Sequence, residues 1–197
     1  MTSIVSICNL ALSHLGKASI SALSEATTEA RACNQFYAHT LDTLLSSYPW
    51  SFAAKTATLA EVTNTKAGAW GYAYKRPNDC LKVRLLRSTY STITGETQDE
   101  RTFAYDIEGD TIYSDTSPAV LRYTATFADP GKFPALFVVA LSWHLAVNMA
   151  MPLTRDAKSR ADAFQLATRT QAAAEAADAN ETRNTYDHVS EFVTARG

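Results

Sequence analysis

The chain has 197 residues, of which 46% are hydrophobic and 19% charged, and its formal net charge is −2. This length can bury a core as one domain, with or without a small insertion. Because basic residues are not in excess, tight binding to nucleic-acid phosphates is excluded as a main role. The low charged fraction leaves room for large protein–protein contacts.

The N-terminal residues predict an amphipathic helix over residues 3–15, capped by Thr2 or Ser3 and stopped by Gly16. They lack the basic start of a secretory signal.

A second helix carries an apolar stripe with spacings of three and four residues, which is a strong amphipathic pattern. Ser24 is the expected N-cap, with Glu25 placed in the first turn near the positive end of the helix dipole. Pro49 is expected to end the helix, since the residue before a proline disfavours helical backbone. The stripe consists of Ala30, Cys33, Tyr37, Leu41, Leu44 and Tyr48.

Residues 51–129 change from a helical to an alternating period, which predicts antiparallel strands. Phe103 to Ile107, followed by the turn at Gly109 and then Tyr113, reads as a hairpin. The polar stretches 64–68 and 88–101 are predicted to be exposed, mobile loops.

A third helix is expected to begin with Pro134 as its first residue and to break at Pro152. It is apolar nearly all round, which is typical of a central bundle helix or an oligomer interface. Polar Ser142, His144 and Asn148 argue against a membrane span.

A fourth, alanine-dense helix is predicted over about 155–180, with Thr154 as its cap. Three of its acids, Glu175, Asp178 and Glu181, share one face. They are interpreted as facing solvent or as lining a lumen that must not bind a polyanion.

The remaining segment, 182–197, is mostly polar. Its spaced apolar residues Tyr186, Val189, Phe192 and Val193 suggest an arm that orders when it docks on a partner, with a portal as the hypothesised partner.

Together these elements predict an α+β fold, mainly a bundle of about four helices with an inserted antiparallel β-rich region. The bundle comprises residues 1–50 and 130–181, the β-rich region comprises 51–129, and the C-terminal arm comprises 182–197. Helices on either side of the strand region are expected to pack together.

No nucleophile elbow, phosphate-binding loop or metal-binding motif is present, so no catalytic residue, cofactor or metal site is predicted. Cys8, Cys33 and Cys80 form no CxxC pair and are expected to be reduced core thiols. His14 and His39 are assigned to exposed helix faces.

Two polar clusters leave alternatives open. Asp106, Glu108 and Asp110 resemble a glycosidase acid–base set, but solvated hairpin charges are the favoured interpretation. Basic residues interleaved with Tyr72 and Tyr74 look like a nucleic-acid patch, although strand alternation places two of them on an outer face and the overall charge argues against recognition of nucleic acid. The basic residues are Lys75, Arg76, Lys82, Arg84 and Arg87.

An aromatic group, Tyr48, Trp50 and Phe52, surrounds Pro49 where the second helix ends. Large rings with polar handles commonly fill junctions of this kind. We expect these three rings to form a structural corner between the helix and the β region, and we do not expect them to bind carbohydrate.

The order of these motifs resembles the tail tubular protein A family, the head-to-tail adaptors of short-tailed bacteriophages. The resemblance runs over roughly residues 1–180. It is carried by Trp50-x-Phe52 after the second helix, by the hairpin "FAYDIEGDTIYSD" with the helix that follows it, and by a third element. That third element consists of Tyr74, Pro77, Asp79, Cys80, Leu81 and Val83.

The resemblance implies a structural virion protein in the tail or neck, made in the host cytoplasm. Its subunits would form a ring, usually of twelve, between the portal protein and the tail nozzle protein, with tail fibres as a further candidate partner. DNA would pass through the ring without sequence-specific binding, and no membrane would be involved. The alternative is a tail-associated glycan or peptidoglycan hydrolase.

Overall fold

The computed structural model describes residues 2–88, 103–127 and 129–181. Most of the predicted loop 88–101 and the whole arm 182–197 therefore lie outside the described residues. Within the described part, four α-helices and two antiparallel sheets confirm the α+β class. The helices are α1 (Ile4–His14), α2 (Thr28–Ser47), α3 (Ala135–Thr154) and α4 (Ala157–Glu181).

Seven strands form the two sheets in the described residues. One sheet has the order β1-β7-β4, and the other has the order β2-β3-β6-β5. The hairpin predicted around Gly109 is β5–β6, with Gly109 at a positive φ of 59° in the turn. The strands are β1 (Ala54–Thr58), β2 (Glu61–Val62), β3 (Tyr72–Lys75), β4 (Cys80–Ser88), β5 (Tyr105–Glu108), β6 (Thr111–Ser114) and β7 (Ala119–Ala125).

The N-terminus of α1 follows the sequence prediction. Ser3 is the N-cap, and it exchanges side-chain and backbone hydrogen bonds with Ser6 in a capping box. The helix gives way to Gly16, whose φ of 64° suits a residue without a Cβ.

The predicted cap of α2 is wrong by three residues. Thr27, not Ser24, accepts a hydrogen bond from the backbone N–H of Ala30. Glu25 lies before the helix, where its carboxylate accepts backbone hydrogen bonds from Ser21 and Ala22. Because the Glu25 carboxylate stabilises this preceding turn, Glu25 does not lie in the first turn of α2, and the helix starts later.

The boundary between α3 and α4 also differs from prediction. Pro134 is the N-cap of α3 rather than its first residue, and Pro152 lies inside the helix. A proline in the last turn removes one backbone hydrogen bond, and the helix continues to Thr154. Asp156, not Thr154, accepts the first-turn N–H groups of α4, from Lys158 and Ser159.

The centre of the bundle is α3, which packs against α1, α2 and α4. It is long and apolar enough to cross a membrane by length and composition alone, with a mean hydropathy of 1.7. In the structure, one of its faces is buried by the other helices. The buried residues of α3 are Phe137, Ala140, Leu141, Ser142, Leu145, Ala146, Met149 and Ala150.

The strands have a separate apolar cluster. Tyr74, Leu86, Ile112 and Leu121 are among its most buried members. The apolar cluster formed by the helices instead includes Trp50, and Phe127 at the end of the strand region packs against it. The two cores therefore correspond to the helices and the sheets, and the aromatic residues after α2 lie at the boundary between them.

Candidate interaction surfaces

The aromatic corner is built around Trp50, which is 1% exposed. Its indole N–H donates to the carbonyl of Leu44 over 2.8 Å, which satisfies a carbonyl near the end of α2. Its ring meets Tyr48 edge to face, with centroids 5.0 Å apart, and Phe137 of α3 at 4.9 Å. This geometry is one of the favoured arrangements of aromatic pairs.

Phe52 extends the same corner toward the sheets. Its ring lies 4.8 Å from Phe137 and 5.6 Å from Phe127, which follows β7. Phe133, just before α3, completes the set at 5.2 Å from Phe137. The corner therefore joins the end of α2, the start of α3 and the end of β7. All three rings of the sequence motif, Tyr48, Trp50 and Phe52, take part in this packing.

Asp178 corrects the expectation of an acidic solvent or lumen face on α4. It is 7% exposed, and its carboxylate accepts from the backbone N–H of Ser51 at 3.0 Å and from the Ser51 hydroxyl at 2.5 Å. Glu175 is half-buried and accepts from Gln171, whereas Glu181 is exposed. Of these three acids, only Glu181 is exposed to solvent as the sequence analysis expected.

Arg84 corrects the prediction that it lies on an outer, solvated strand face. Its guanidinium donates to the carbonyls of Leu45, Ser46 and Tyr48 at 2.7–3.2 Å, and its Nε donates to the hydroxyl of Thr124. Since the last carbonyls of a helix have no partners within it, a cation here also complements the helix dipole. Burial lowers the pKa of Arg84.

Three more basic residues of the suspected nucleic-acid patch are likewise engaged. Lys82 donates to Ser46, Lys75 pairs with Asp110, and Arg76 donates to two backbone carbonyls at the start of β4. Because Lys75, Arg76 and Lys82 each contact groups of the protein itself, these side chains are less available to phosphates.

The acids of the hydrolase alternative lie on the β5–β6 hairpin. Lys66 lies 2.9 Å from Asp106 and 3.1 Å from Glu108. Hydrogen bonding to Lys66 lowers the pKa of Asp106, and Lys75 lowers that of Asp110. A glycosidase acid needs a raised pKa, so this environment does not favour that role.

The loop 64–68, predicted to be mobile, is tied to the neighbouring strands. Lys66 lies over the ring of Tyr113 at 4.8 Å, and Thr65 hydrogen-bonds to the Tyr113 hydroxyl at 2.8 Å. Asn64 donates to the carbonyl of Trp70. The loop thus forms part of the sheet surface.

His14 was also predicted to be exposed, but its side chain is half-buried. Its ring stacks on Trp143 of α3 at 3.6 Å, and its Nε2 lies 3.0 Å from the Ser142 hydroxyl. Burial lowers its pKa. His39 is exposed as predicted. The three cysteines are buried and free, as the sequence indicated.

A large groove lies between α2 and the N-terminal half of α4, with α3 as its floor. We call this the α2–α4 groove; its cavity volume is about 710 Å³. Phe164 on α4 is 58% exposed and Met151 on α3 is 41% exposed, so its apolar wall is open. Its lining includes His39, Thr43, Leu44, His144, Val147, Met151, Arg160, Phe164 and Gln171.

Gln171 closes one end of the groove. Its amide nitrogen donates to Ser47 at 3.2 Å and to Glu175 at 2.7 Å, while its carbonyl oxygen lies 2.8 Å from Nε2 of His144. Burial lowers the pKa of His144, and the contact with Gln171 acts in the opposite direction. These bonds link α2, α3 and α4.

The ionisable side chains that line the groove are basic. Its lining residues include His39, His144 and Arg160 but no carboxylate. Across residues 2–88, 103–127 and 129–181, no cluster of three or more histidines, cysteines or acids is arranged to hold a metal ion. What the groove offers is an apolar surface with a basic rim.

The sequence did not reveal this groove, because its lining comes from three helices that are distant along the chain. Phe164, a large apolar residue in an alanine-rich helix, is a local signal that could have pointed to it. Comparison of the sequence with models of protein families and with curated proteins yields no match. The likeness to the phage adaptors therefore rests on the motif series itself.

Proposed function

We propose that the chain is a structural virion protein, a head-to-tail adaptor whose ring lies between the portal and the tail nozzle of a short-tailed phage. The observation that carries the proposal is the ordered series of adaptor-like motifs over residues 1–180. Support comes from where these motif residues lie, because one motif occupies the junction between the bundle and the sheets and another ties segments of the strand region together.

The first motif, Trp50-x-Phe52, forms the aromatic corner at one joint. The second motif makes its contacts within the strand region. Its Tyr74 hydroxyl donates to the carbonyl of Thr116 at 2.6 Å, and its Asp79 accepts from the Tyr123 hydroxyl at 2.9 Å and pairs with Lys55. Sequence elements that fix one arrangement of the fold would be needed by any subunit that must repeat identically around a ring.

The helical surface supports a role in assembly. Several large apolar side chains remain exposed on three of the helices, α1, α3 and α4, which favours contacts with other subunits. They are Leu10, Leu136, Met151, Phe164 and Leu166. A closed ring needs a head-to-tail interface between two different surfaces of the subunit, and a bundle with uncovered residues on several helices can supply both.

The charge distribution is compatible with DNA passing through without being held. The net charge is −2, and the basic residues Lys75, Arg76 and Arg84 contact the protein itself. Phosphate contacts would slow the passage of DNA by gripping it. Under this proposal the portal and nozzle proteins are the partners, a dodecamer is the assembly, and tail fibres are a further candidate contact.

Native mass spectrometry of the full chain mixed with its cognate portal protein tests this proposal. We expect one complex in which many copies of the chain join one portal ring. A portal ring that carries no copy of the chain at saturating concentration would contradict the adaptor role.

A further inference from the structure

Two of the three cysteines face each other between α1 and α2. Cys8 lies on α1 and Cys33 on α2, and their side chains interact directly. Both are 0% exposed and belong to the apolar core of the helices. Cys80 instead lies on β4, in the apolar cluster of the strands. The helical bundle therefore holds a pair of free thiols, and the third thiol belongs to the other core.

The residue that follows each cysteine is tied to the segment 15–27, which links the two helices. Asn9 exchanges side-chain hydrogen bonds with the backbone N–H and carbonyl of Ile20, at 2.8 and 2.9 Å. Asn34 donates to the carbonyl of Leu23 at 2.6 Å. Because both helices are fastened to the same short link beside their cysteines, the two thiols are held opposite each other.

The two sulfurs differ in reactivity. A hydrogen bond between the two side chains raises the pKa of Cys8 and lowers that of Cys33. Met149 of α3 lies on the other side of Cys33, with its sulfur 3.8 Å from Sγ. Since the thiolate and not the thiol is the nucleophile, Cys33 is the sulfur that reacts first, and Cys8 is the neighbouring thiol that resolves the product.

We propose that Cys8 and Cys33 are a modification site, at which a small peroxide forms a disulfide that joins α1 to α2. The Cys33 thiolate attacks one oxygen of hydrogen peroxide and breaks the O–O bond, which gives a sulfenic acid. The released hydroxide takes up the proton that Cys33 lost and leaves as water. The sulfur of Cys8 then attacks that of Cys33, and the hydroxyl group leaves with the Cys8 proton as a second water. Two thiols are oxidised and one peroxide is reduced.

The bond has a defined structural consequence. Hydrogen peroxide is close to water in size, so the local openings that bring buried groups into contact with solvent suffice to admit it. The disulfide closes the chain between residues 8 and 33 into a loop, and a cross-link of this kind restricts the unfolded chain. The oxidised protein is therefore more stable than the reduced protein. This inference is independent of the adaptor function.

Oxidation of the full native chain tests the pair. The reduced chain is treated with a small molar excess of hydrogen peroxide, the remaining thiols are blocked with N-ethylmaleimide in concentrated urea, and tryptic peptides are analysed by mass spectrometry without reductant. Cleavage after Lys17, Arg31 and Lys55 places the two cysteines in peptides 1–17 and 32–55. We expect these two peptides joined as the dominant product, with a single maleimide, on Cys80.

Substitutions of single cysteines supply the matched controls. Cys80→Ser removes the third thiol and should leave the yield of joined peptides unchanged. Cys8→Ala and Cys33→Ala should each abolish it. Oxidation of the wild-type chain in concentrated urea should instead distribute the bond among all three cysteines. The urea midpoint of the oxidised native chain should exceed that of the reduced chain, and dithiothreitol should reverse the rise.

Each other outcome overturns the inference. Three maleimide-blocked cysteines, or an oxidised Cys33 that never joins Cys8, would show that the pair does not form a disulfide. Bonds to Cys80 or between two copies of the chain, in the proportions found in urea, would show that the folded contact does not direct the reaction. A urea midpoint that falls on oxidation would contradict the stabilising role of the bond.

Discussion

Asp178, near the end of α4, holds Ser51, which lies between Trp50 and Phe52 of the aromatic corner: its carboxylate accepts both the backbone N–H and the hydroxyl of Ser51. These two residues are 127 positions apart in sequence. Through this contact the last helix fixes the point where the first half of the bundle passes into the strands. The same acid had been interpreted from the sequence as facing solvent or a lumen.

Removing this contact should destabilise the fold. We expect Asp178→Ala to lower the free energy of unfolding by about 1–3 kcal/mol, because the backbone N–H of Ser51 loses its acceptor in a partly buried site. Urea denaturation measures the change. Glu181→Ala on the same helix is the control; an equal loss there would show that the effect is not specific to the Ser51 contact.

Trp50 should be the most sensitive position of the aromatic corner. Trp50→Ala should cost about 3–5 kcal/mol through lost burial and the cavity left behind. Trp50→Phe should cost less, since it keeps an aromatic ring but removes the indole N–H donor to Leu44. Thermal or urea unfolding gives both values.

The exposed Phe164 provides the comparison for that pair. Phe164→Ala should change the free energy of unfolding by no more than about 0.5 kcal/mol, because the side chain is already largely in solvent. If Trp50→Ala behaved like Phe164→Ala, the corner would not be a structural joint.

Arg84 should not be replaceable by lysine. One terminal nitrogen of its guanidinium contacts the carbonyls at the end of α2 while its Nε donates to a hydroxyl on β7, and the single nitrogen of an ammonium group cannot occupy both positions. We expect Arg84→Lys to destabilise the chain by about 1–3 kcal/mol in urea unfolding. Lys82→Ala, which removes one exposed donor to the same helix end, should have a much smaller effect. Equal effects would be inconsistent with this account of the α2 terminus.

Stability should fall on mild acidification. Burial lowers the pKa values of His14 and His144 below the ordinary value of 6.5. Protons then bind more tightly to the unfolded chain, so this contribution is fully present above pH 6.5 and is lost as the pH falls through the lower folded values. The urea midpoint should therefore drop between pH 7.5 and pH 5.

The double variant His14→Gln/His144→Gln tests the assignment, and it should flatten this part of the pH profile. Exposed His39→Gln should leave the profile as it is. The carboxylates with lowered pKa values act at more acidic pH, below their ordinary value of 3.8. A slope that persists in the double variant would assign the effect to other groups.

Much of the fold followed from local patterns. The period-two alternation over residues 51–129 identified the strand region, the turn at Gly109 identified the hairpin, and Ser3 was one of the two caps expected for α1. These features depend on neighbours in sequence. Caps further along were displaced, because both Thr27 and Asp156 compete with nearby residues of the same chemistry.

The surfaces were harder to predict, because periodicity identifies a face but not what packs on it. Asp178 and Arg84 fall on faces that look solvated in sequence, yet one meets Ser51 and the other meets the end of α2. His14 likewise meets Trp143 from a distant helix. The α2–α4 groove needs three helices in place before it exists.

Single-particle electron microscopy of the full chain mixed with its cognate portal protein tests the central claim most directly. The account predicts a ring of this chain stacked coaxially on the portal, with an open central channel for DNA. A chain that stays monomeric, with the portal face bare in every class of particle, would contradict it.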